Sequence, residues 1–182
     1  MTGCCNYNSY NKVFDGKNAK RDLKRYRQKG LRKETKLLYD ALQDKVKGKN
    51  VIELGSGIGA LAVNLTKAGA KNYLGAEISG HSIEMARKLA KEEKLNKKIS
   101  FTFKDLIMKP EDFKKADIVL SDKVVCCYPY MEQLVNATAS RAKKYYAIVY
   151  PKDTIPAHII TGILSFLLKC TPMKGFRAYI HN

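Results

Sequence analysis

A glycine-rich turn between a buried strand and a helix constrains this chain more than any other feature. In the segment VIELGSGIGALA, an apolar run leads into Gly55 and a helical apolar pattern follows Gly59. Glycines at such a junction let the backbone turn sharply and let a ligand approach its amide groups closely. The segment therefore predicts a strand at 50–54, a tight turn at 55–59 and a helix at 60–68.

The same strand-and-helix unit recurs along the rest of the chain. Alternation of this kind is typical of a parallel sheet covered by helices on both faces, so we predict an α/β fold with a Rossmann-like, doubly wound and mostly parallel sheet. The remaining predicted elements are strands at 72–77, 99–104, 116–121 and 145–150, helices at 81–94, 130–142 and 157–169, and a sixth strand in FRAYIHN, residues 176–182.

The residues before this unit form a separate helical part. Apolar spacings of three and four predict helices at 17–29, ended by Gly30, and at 33–47. We expect an amino-terminal helical cap over 1–49 and a Rossmann-like domain over 50–182, which together make one globular unit. The cap is expected to close over the strand ends as a lid.

Length and composition limit the kind of protein further. The chain has 182 residues, 45% of them hydrophobic, which suits one globular domain. The apolar stretch at 157–168 is interrupted by polar residues and is shorter than the ~20 residues that span a bilayer, so no membrane helix is expected. The first twelve residues lack the basic flank and apolar core of a secretory signal, which predicts a cytoplasmic protein.

Cysteine spacing argues against a metal site. The five cysteines include two adjacent pairs, but no CxxC spacing occurs. Free thiols and no bound metal are therefore expected.

The charge distribution leaves two kinds of partner open. The net charge is +17, and residues 17–36 hold ten Lys or Arg against Asp22 and Glu34. Such a field attracts polyanions, although a solvated helix face would have the same composition.

Glu53 distinguishes between two nucleotide cofactors that a glycine turn could bind. Read as GxGxxG/A with Ala60 in the last place, and with Glu77 about twenty residues further on, the turn also fits a dinucleotide-binding motif. However, an ionised carboxylate at the tip of a buried strand is costly unless a cation meets it. The ammonium group of S-adenosylmethionine is such a cation, whereas a pyrophosphate would be repelled, so we predict S-adenosylmethionine.

Two further acidic residues end the next two strands. Glu77 can accept hydrogen bonds from both ribose hydroxyls, and Asp105 can accept from the adenine amino group, with Ile78 and Leu106 against the ring faces. A helix-start carboxylate and a turn aspartate are the structural alternatives for Glu77 and Asp105. The residues predicted to bind the cofactor are Glu53, Gly55, Ser56, Gly57, Gly59, Glu77, Ile78, Asp105, Leu106 and Ser121.

The segment SDKVVCCYPY leaves the fourth strand beside the expected methyl group. We predict that Asp122 and Tyr128 contact the methyl acceptor, with Ser121 and Tyr130 as further candidates. Methyl transfer is an in-line displacement that depends mainly on holding the nucleophile in place. An ionised carboxylate needs no base, so the lack of an obvious catalytic histidine favours a carboxylate acceptor.

These strand ends, together with the ExGxGxG pattern, resemble class I S-adenosylmethionine-dependent methyltransferases over about 50–150. Within that class, GIGALAVNLTKAGA, GLRKETKLLYDAL and CCYPYM look most like the magnesium-protoporphyrin O-methyltransferase branch and its small relatives. The resemblance implies that Tyr26 lies near the methyl donor, although Tyr26 also completes the apolar stripe of its helix. Cys127 stands where that branch carries a histidine. The family fold adds a last helix and strand after the segment resembling FRAYIHN, so the sheet is expected to lack its last strand or the chain to be truncated.

Three functions remain open from the sequence. The first is methylation of a small molecule at a carboxylate or hydroxyl oxygen, which the resemblance favours. The second is methylation of RNA with the help of the basic helix, and the third is a cofactor-binding regulator without catalysis. The oligomeric state cannot be predicted from these patterns.

Overall fold

The computed structural model describes residues 15–125, 128, 130–150 and 154. The helix predicted at 157–169 and the strand predicted at 176–182 lie outside these residues. The five cysteines lie outside them as well.

Strands and helices alternate along most of the described chain. The elements are α1 (Gly16–Lys29), α2 (Lys33–Leu42), β1 (Asn50–Leu54), α3 (Ala60–Lys67), β2 (Asn72–Glu77), α4 (Gly80–Glu92), β3 (Ile99–Phe103), a 3₁₀ turn (Pro110–Asp112), β4 (Ala116–Asp122), α5 (Met131–Ala139) and β5 (Ala142–Val149).

The five strands form one sheet in the order β3-β2-β1-β4-β5, and all neighbouring pairs are parallel. β1 is central, and the strand order reverses between β1 and β4. Ligands of open α/β sheets bind outside the carboxyl ends of the strands at such a reversal. The α/β, Rossmann-like fold predicted from the sequence is therefore confirmed.

Hydrophobic side chains cover both faces of the sheet. One cluster includes Val51, Leu65, Leu89 and Ile118, and the other includes Ile52 and residues of α5. Strand side chains alternate between the two faces, so adjacent residues of β1 enter different clusters. The central strands β1, β2 and β4 are therefore largely buried on both faces, as is typical of parallel sheets.

The two amino-terminal helices share the first of these clusters. Ala19 and Leu23 of α1 and Leu38 and Leu42 of α2 are each 3% exposed within it. α1 packs against α4, and α2 packs against α3 and β5. This packing places the turn between α1 and α2 beside the carboxyl ends of the strands.

Element boundaries differ from the predicted ones mainly at two places. α2 ends at Leu42 rather than at 47, because the backbone tightens there into a turn in which the Lys45 amide bonds to the Leu42 carbonyl. β5 begins at Ala142 rather than at 145, because Ala142 already pairs with Ala116 of β4. Among the described residues, no helix has the length and apolar character needed to cross a bilayer.

Candidate active site

The turn between β1 and α3 brings backbone amides to the edge of the sheet. Gly55 and Gly57 have φ of +70° and +51°, a left-handed conformation in which a side chain would be strained. A Cβ on Gly55 would clash with Cγ2 of Val124, whereas a Cβ on Gly57 would meet no atom within 4 Å. Gly55 is therefore required by packing, and Gly57 faces open space.

Glu53 lies at the end of β1 directly beneath this turn. Its side chain accepts a hydrogen bond of 2.8 Å from the hydroxyl of Tyr73, and the residue is 2% exposed. Burial raises the pKa of Glu53 to about 8, and the hydrogen bond from Tyr73 acts in the opposite direction. A cation that enters the site would stabilise the ionised form of this acid.

Glu77 ends β2 and is held by backbone donors. One carboxylate oxygen accepts from the amides of Ile78 (2.7 Å) and Ser79 (2.9 Å), and the other accepts from the amide of Gly57 (2.8 Å). Burial raises the pKa of Glu77, and these backbone hydrogen bonds act the other way. The carboxylate is thus fixed in position between the glycine turn and the start of α4.

Asp105 follows β3 and forms a turn with its own backbone. Its Oδ1 accepts from the amides of Ile107 (2.8 Å) and Met108 (3.4 Å), which is the pattern of a turn aspartate. Asp105 and Ile107 nevertheless face the same cleft as Glu77.

Asp122 at the end of β4 joins the sheet to the helical cap. The hydroxyl of Thr35 in α2 donates to Asp122 Oδ2, and Lys123 Nζ lies 3.5 Å from that oxygen and 3.3 Å from the Thr35 hydroxyl. The other carboxylate oxygen, Oδ1, is buried and has no hydrogen-bond partner among the described residues. An unsatisfied buried oxygen is costly, which points to a ligand donor at this position.

Two tyrosines complete the wall of the site. Tyr26 of α1 accepts a hydrogen bond of 2.8 Å from the Asn64 side chain, and burial raises the pKa of Tyr26. Tyr128 is 5% exposed and packs edge-to-face with Tyr130 at a ring-centroid distance of 6.4 Å.

These groups surround one cleft with a volume of about 620 Å³, within the usual range for small-molecule sites. Its floor is the glycine turn, and its walls come from the ends of β1, β2 and β4 and from the cap. The sequence-predicted residues that line it are Tyr26, Glu53, Gly55, Ser56, Gly57, Glu77, Ile78, Asp105, Asp122 and Tyr128.

Three predicted cofactor contacts do not line the cleft. Ser121 is fully buried, because side chains of adjacent strand residues point to opposite faces and Asp122 takes the cleft side. Leu106 is fully buried in the second hydrophobic cluster, and Ile107 faces the cleft instead. Gly59 is the N-cap residue before α3, and a Cβ there would lie 2.7 Å from Cζ of Phe101, which indicates a role in packing.

Sequence reasoning missed several residues of the cleft. Arg25 and Arg32 of the cap, Thr35, and Lys123 all line it. Thr35 could have been found, because it occupies the inward face of α2 with Leu38 and Leu42, and a polar residue in an apolar stripe needs a partner. The two arginines show no such signal, since the cap carries many basic residues.

Comparisons with known proteins agree with this geometry. A family model for a methyltransferase domain matches residues 45–160. The ribosomal protein L11 methyltransferase of Haemophilus influenzae is 33% identical over 95 residues, which are 50% of this chain and 31% of that protein. The chain spans about 30% of the length of the curated relatives it matches.

Solved structures show the same fold. The magnesium protoporphyrin IX methyltransferase of Synechocystis PCC 6803, with bound S-adenosylhomocysteine, superposes with a TM-score of 0.65 at 25% identity, covering 81% of this chain and 65% of that one. A methyltransferase of Thiobacillus denitrificans in complex with S-adenosylhomocysteine has a TM-score of 0.52 at 18% identity, covering 62% and 45%.

A parallel sheet with a glycine turn and acidic residues at successive strand ends defines a nucleotide-binding α/β protein. The chain belongs to the methyltransferase-domain family, with the fold of a class I S-adenosylmethionine-dependent methyltransferase. The class predicted from the sequence is therefore confirmed.

Proposed function

We propose that the protein is an S-adenosylmethionine-dependent methyltransferase that acts on a small molecule at a carboxylate or hydroxyl oxygen. The observation that carries this proposal is the buried carboxylate of Glu53 at the floor of the cleft, beside the glycine turn. The cofactor is S-adenosylmethionine, which supplies an activated methyl group when it is bound.

The cleft suits each part of this cofactor. The carboxylate of Glu53 would meet the ammonium group, and an ion pair with hydrogen bonding contributes more than a neutral contact. Glu77 keeps its two oxygens at the edge of β2, where the unused lone pairs can accept from ribose hydroxyls. Asp105 would accept from the adenine amino group, and Ile78 and Ile107 would cover the ring faces.

The cap side of the cleft carries charges of both signs. Arg25, Arg32 and Lys123 line it together with Asp22, Glu34 and Asp122; Arg32 is paired with Asp22, and Lys123 lies beside Asp122. The guanidinium of Arg25, which bonds to the Gly30 carbonyl, can also pair with a carboxylate of the acceptor. No histidine is among the described residues that line the cleft, which agrees with an acceptor that is already ionised and needs no base.

Three side chains are proposed to position the acceptor. Asp122 offers the unpartnered Oδ1 to a hydroxyl or another hydrogen-bond donor of the ligand, Tyr128 offers an aromatic face, and Tyr26 offers a hydroxyl from the cap. Reaction rates in displacements depend strongly on such orientation, because the nucleophile must approach the methyl carbon in line at about 3 to 3.5 Å. The cap residues around Gly30 are proposed to act as the lid that excludes water.

The experiment that tests this proposal uses the full chain with methyl-labelled S-adenosylmethionine and a fractionated cell extract. We expect the label to enter the small-molecule fraction and to be released by mild base if the product is a methyl ester. Label that enters RNA instead would contradict the small-molecule assignment and favour the RNA alternative, which the basic residues of α1 support. Tight cofactor binding without transfer to any fraction would indicate a regulator that has lost catalysis.

A further inference from the structure

The amino-terminal edge of the sheet, opposite the cleft, carries a row of lysines. Every strand is preceded by lysine or carries it within its first three residues, and nearly all of these lysines are exposed. The row, called here the amino-edge row, consists of Lys47 and Lys49 before β1, Lys71 before β2, Lys97 and Lys98 before β3, Lys114 and Lys115 before β4, and Lys143 and Lys144 at the start of β5.

Backbone contacts place these lysines side by side. The Lys71 amide bonds to the Lys49 carbonyl at 2.8 Å, and the Tyr73 amide bonds to the Lys98 carbonyl at 2.8 Å. Neighbouring strands lie about 4.8 Å apart, so the row across five strands is about 19 Å long. A row of this length can contact several phosphates of one nucleic-acid strand.

Little negative charge neutralises this edge. Asp117 accepts from the Asn50 amide, and Lys144, Lys49 and Lys143 contribute to lowering the pKa of Asp117, after that hydrogen bond. None of the ion pairs between described residues involves a lysine of the row.

The basic helix that the sequence singled out differs in this respect. Arg27 of α1 pairs with Glu92, Arg32 pairs with Asp22, and Arg25 bonds to the Gly30 carbonyl. Part of the positive charge around α1 is therefore used within the fold, whereas the charge of the amino-edge row faces solvent.

We propose that the amino-edge row is a docking surface for the phosphate backbone of RNA. Between the lysines lie the exposed side chains of Asn50 and Asn72, in which Asn72 Nδ2 donates to Asn50 Oδ1 at 2.9 Å and the remaining amide hydrogens are left to bond to phosphate or sugar oxygens. Tyr145 is 42% exposed beside Lys144. An anionic membrane would be expected to meet large apolar side chains as well, and Tyr145 is the one large exposed side chain with apolar character among the described residues of this edge.

The row anchors the protein on RNA and does not deliver a base to the cleft. The five residues of β1 separate the two edges of the sheet by about 17 Å. RNA bound at the row therefore leaves the cleft open for its own small acceptor, and this inference does not depend on the identity of that acceptor.

Fluorescence anisotropy with a labelled 30-nucleotide oligouridylate tests the proposal. The first variant combines K71Q, K98Q, K115Q and K144Q, and the matched control combines K17Q, K20Q, K24Q and K29Q on the exposed face of α1, so that both lose four positive charges. We expect the row variant to bind the RNA at least about 10-fold more weakly than the wild type at 50 mM salt. The magnitude of the slope of log K against log salt concentration should fall by about 2 to 3. The affinity of the control variant should change by less than about threefold. Saturation with S-adenosylhomocysteine is expected to leave the RNA affinity of the wild type within about twofold.

Other outcomes would overturn the proposal. If the RNA affinity fell equally in the two variants, the binding would depend on the overall positive charge and not on the row. If it fell more in the control, the RNA-binding surface would lie on α1. Failure of the wild type to bind at 50 mM salt would also reject it, as would row-dependent binding to phosphatidylserine vesicles without RNA binding. Calorimetry with S-adenosylhomocysteine on both variants shows that each is folded and keeps this test separate from the proposed enzymatic function.

Discussion

At the carboxyl edge of the sheet, Glu53 and Glu77 are 2% and 8% exposed, whereas at the amino edge Lys71, Lys98 and Lys144 face solvent. The first edge holds acidic groups where water is excluded, so each needs a specific partner in order to ionise. The second edge holds charge that water already solvates, so its interactions are long-ranged and weakened by salt. The same sheet thus separates specific recognition at one end from nonspecific attraction at the other.

Ionisation of the buried Glu53 carboxyl should have the largest effect on stability. The pKa of Glu53 is raised by burial to about 8 in the folded protein, above its unfolded value, so the stability that protonation contributes is lost as the pH rises toward 8. Between pH 6 and pH 9, without ligand, we expect the free energy of unfolding of the wild type to fall relative to Glu53→Gln by about 3 kcal/mol. Urea denaturation across this range measures it.

The exposed helix residue Glu84 supplies the matched control for that series. Glu84→Gln should follow the pH dependence of the wild type. If Glu53→Gln also followed it, the carboxyl would not be buried in its acid form.

The glycine turn offers a second test of the carboxyl edge. Gly55→Ala forces a Cβ against Val124 in a left-handed conformation, so we expect a loss of about 2 kcal/mol or more. Gly57→Ala adds its Cβ to open space and should cost about 1 kcal/mol, from the backbone conformation alone. Equal losses by urea denaturation would show that contact with Val124 does not constrain the turn.

The contact between the cap and β4 should have a smaller effect. Thr35→Val removes the hydroxyl that donates to Asp122 and accepts from Lys123. We expect a loss of about 1 kcal/mol and faster trypsin cleavage near Lys29, slowed again by S-adenosylhomocysteine. Thr35→Ser keeps the hydroxyl and should restore the slow cleavage. Cleavage that ignores both the substitution and the ligand would argue against a cap that closes.

The smallest effect is expected at the amino edge. Lys71→Gln should change the free energy of unfolding by less than about 0.5 kcal/mol and leave the affinity for S-adenosylhomocysteine unchanged. Thermal denaturation and calorimetry on the same sample provide both values. A large change in either would show that the two edges are coupled.

Much of the site could be predicted because its signals are local in the sequence. The unit from β1 to α3 places Glu53 and the turn in one continuous segment, and the acid at the end of β2 follows from strand alternation. Contacts between distant segments were not accessible in this way. Thr35 and Asp122 are 87 residues apart and meet only because α2 packs beside β4 and β5.

The sequence pattern did not show which individual residues at the strand ends face the cleft, because that depends on the local backbone geometry. The strand pattern put both Ser121 and Asp122 at the site, although a period of two allows only one of them to face it. After β3, the turn made by Asp105 directs Leu106 inward and Ile107 toward the cleft, and no periodicity applies within such a turn.

We propose above all that the carboxylate of Glu53 forms an ion pair with the ammonium group of S-adenosylmethionine. Isothermal titration calorimetry with S-adenosylhomocysteine, which carries the same ammonium, tests this most directly on wild type, Glu53→Gln and Glu84→Gln. We expect a roughly 10- to 150-fold weaker affinity for Glu53→Gln, corresponding to about 1.5 to 3 kcal/mol, and no change for Glu84→Gln. Unchanged affinity in Glu53→Gln, or heat with a nicotinamide dinucleotide but not with S-adenosylhomocysteine, would contradict it.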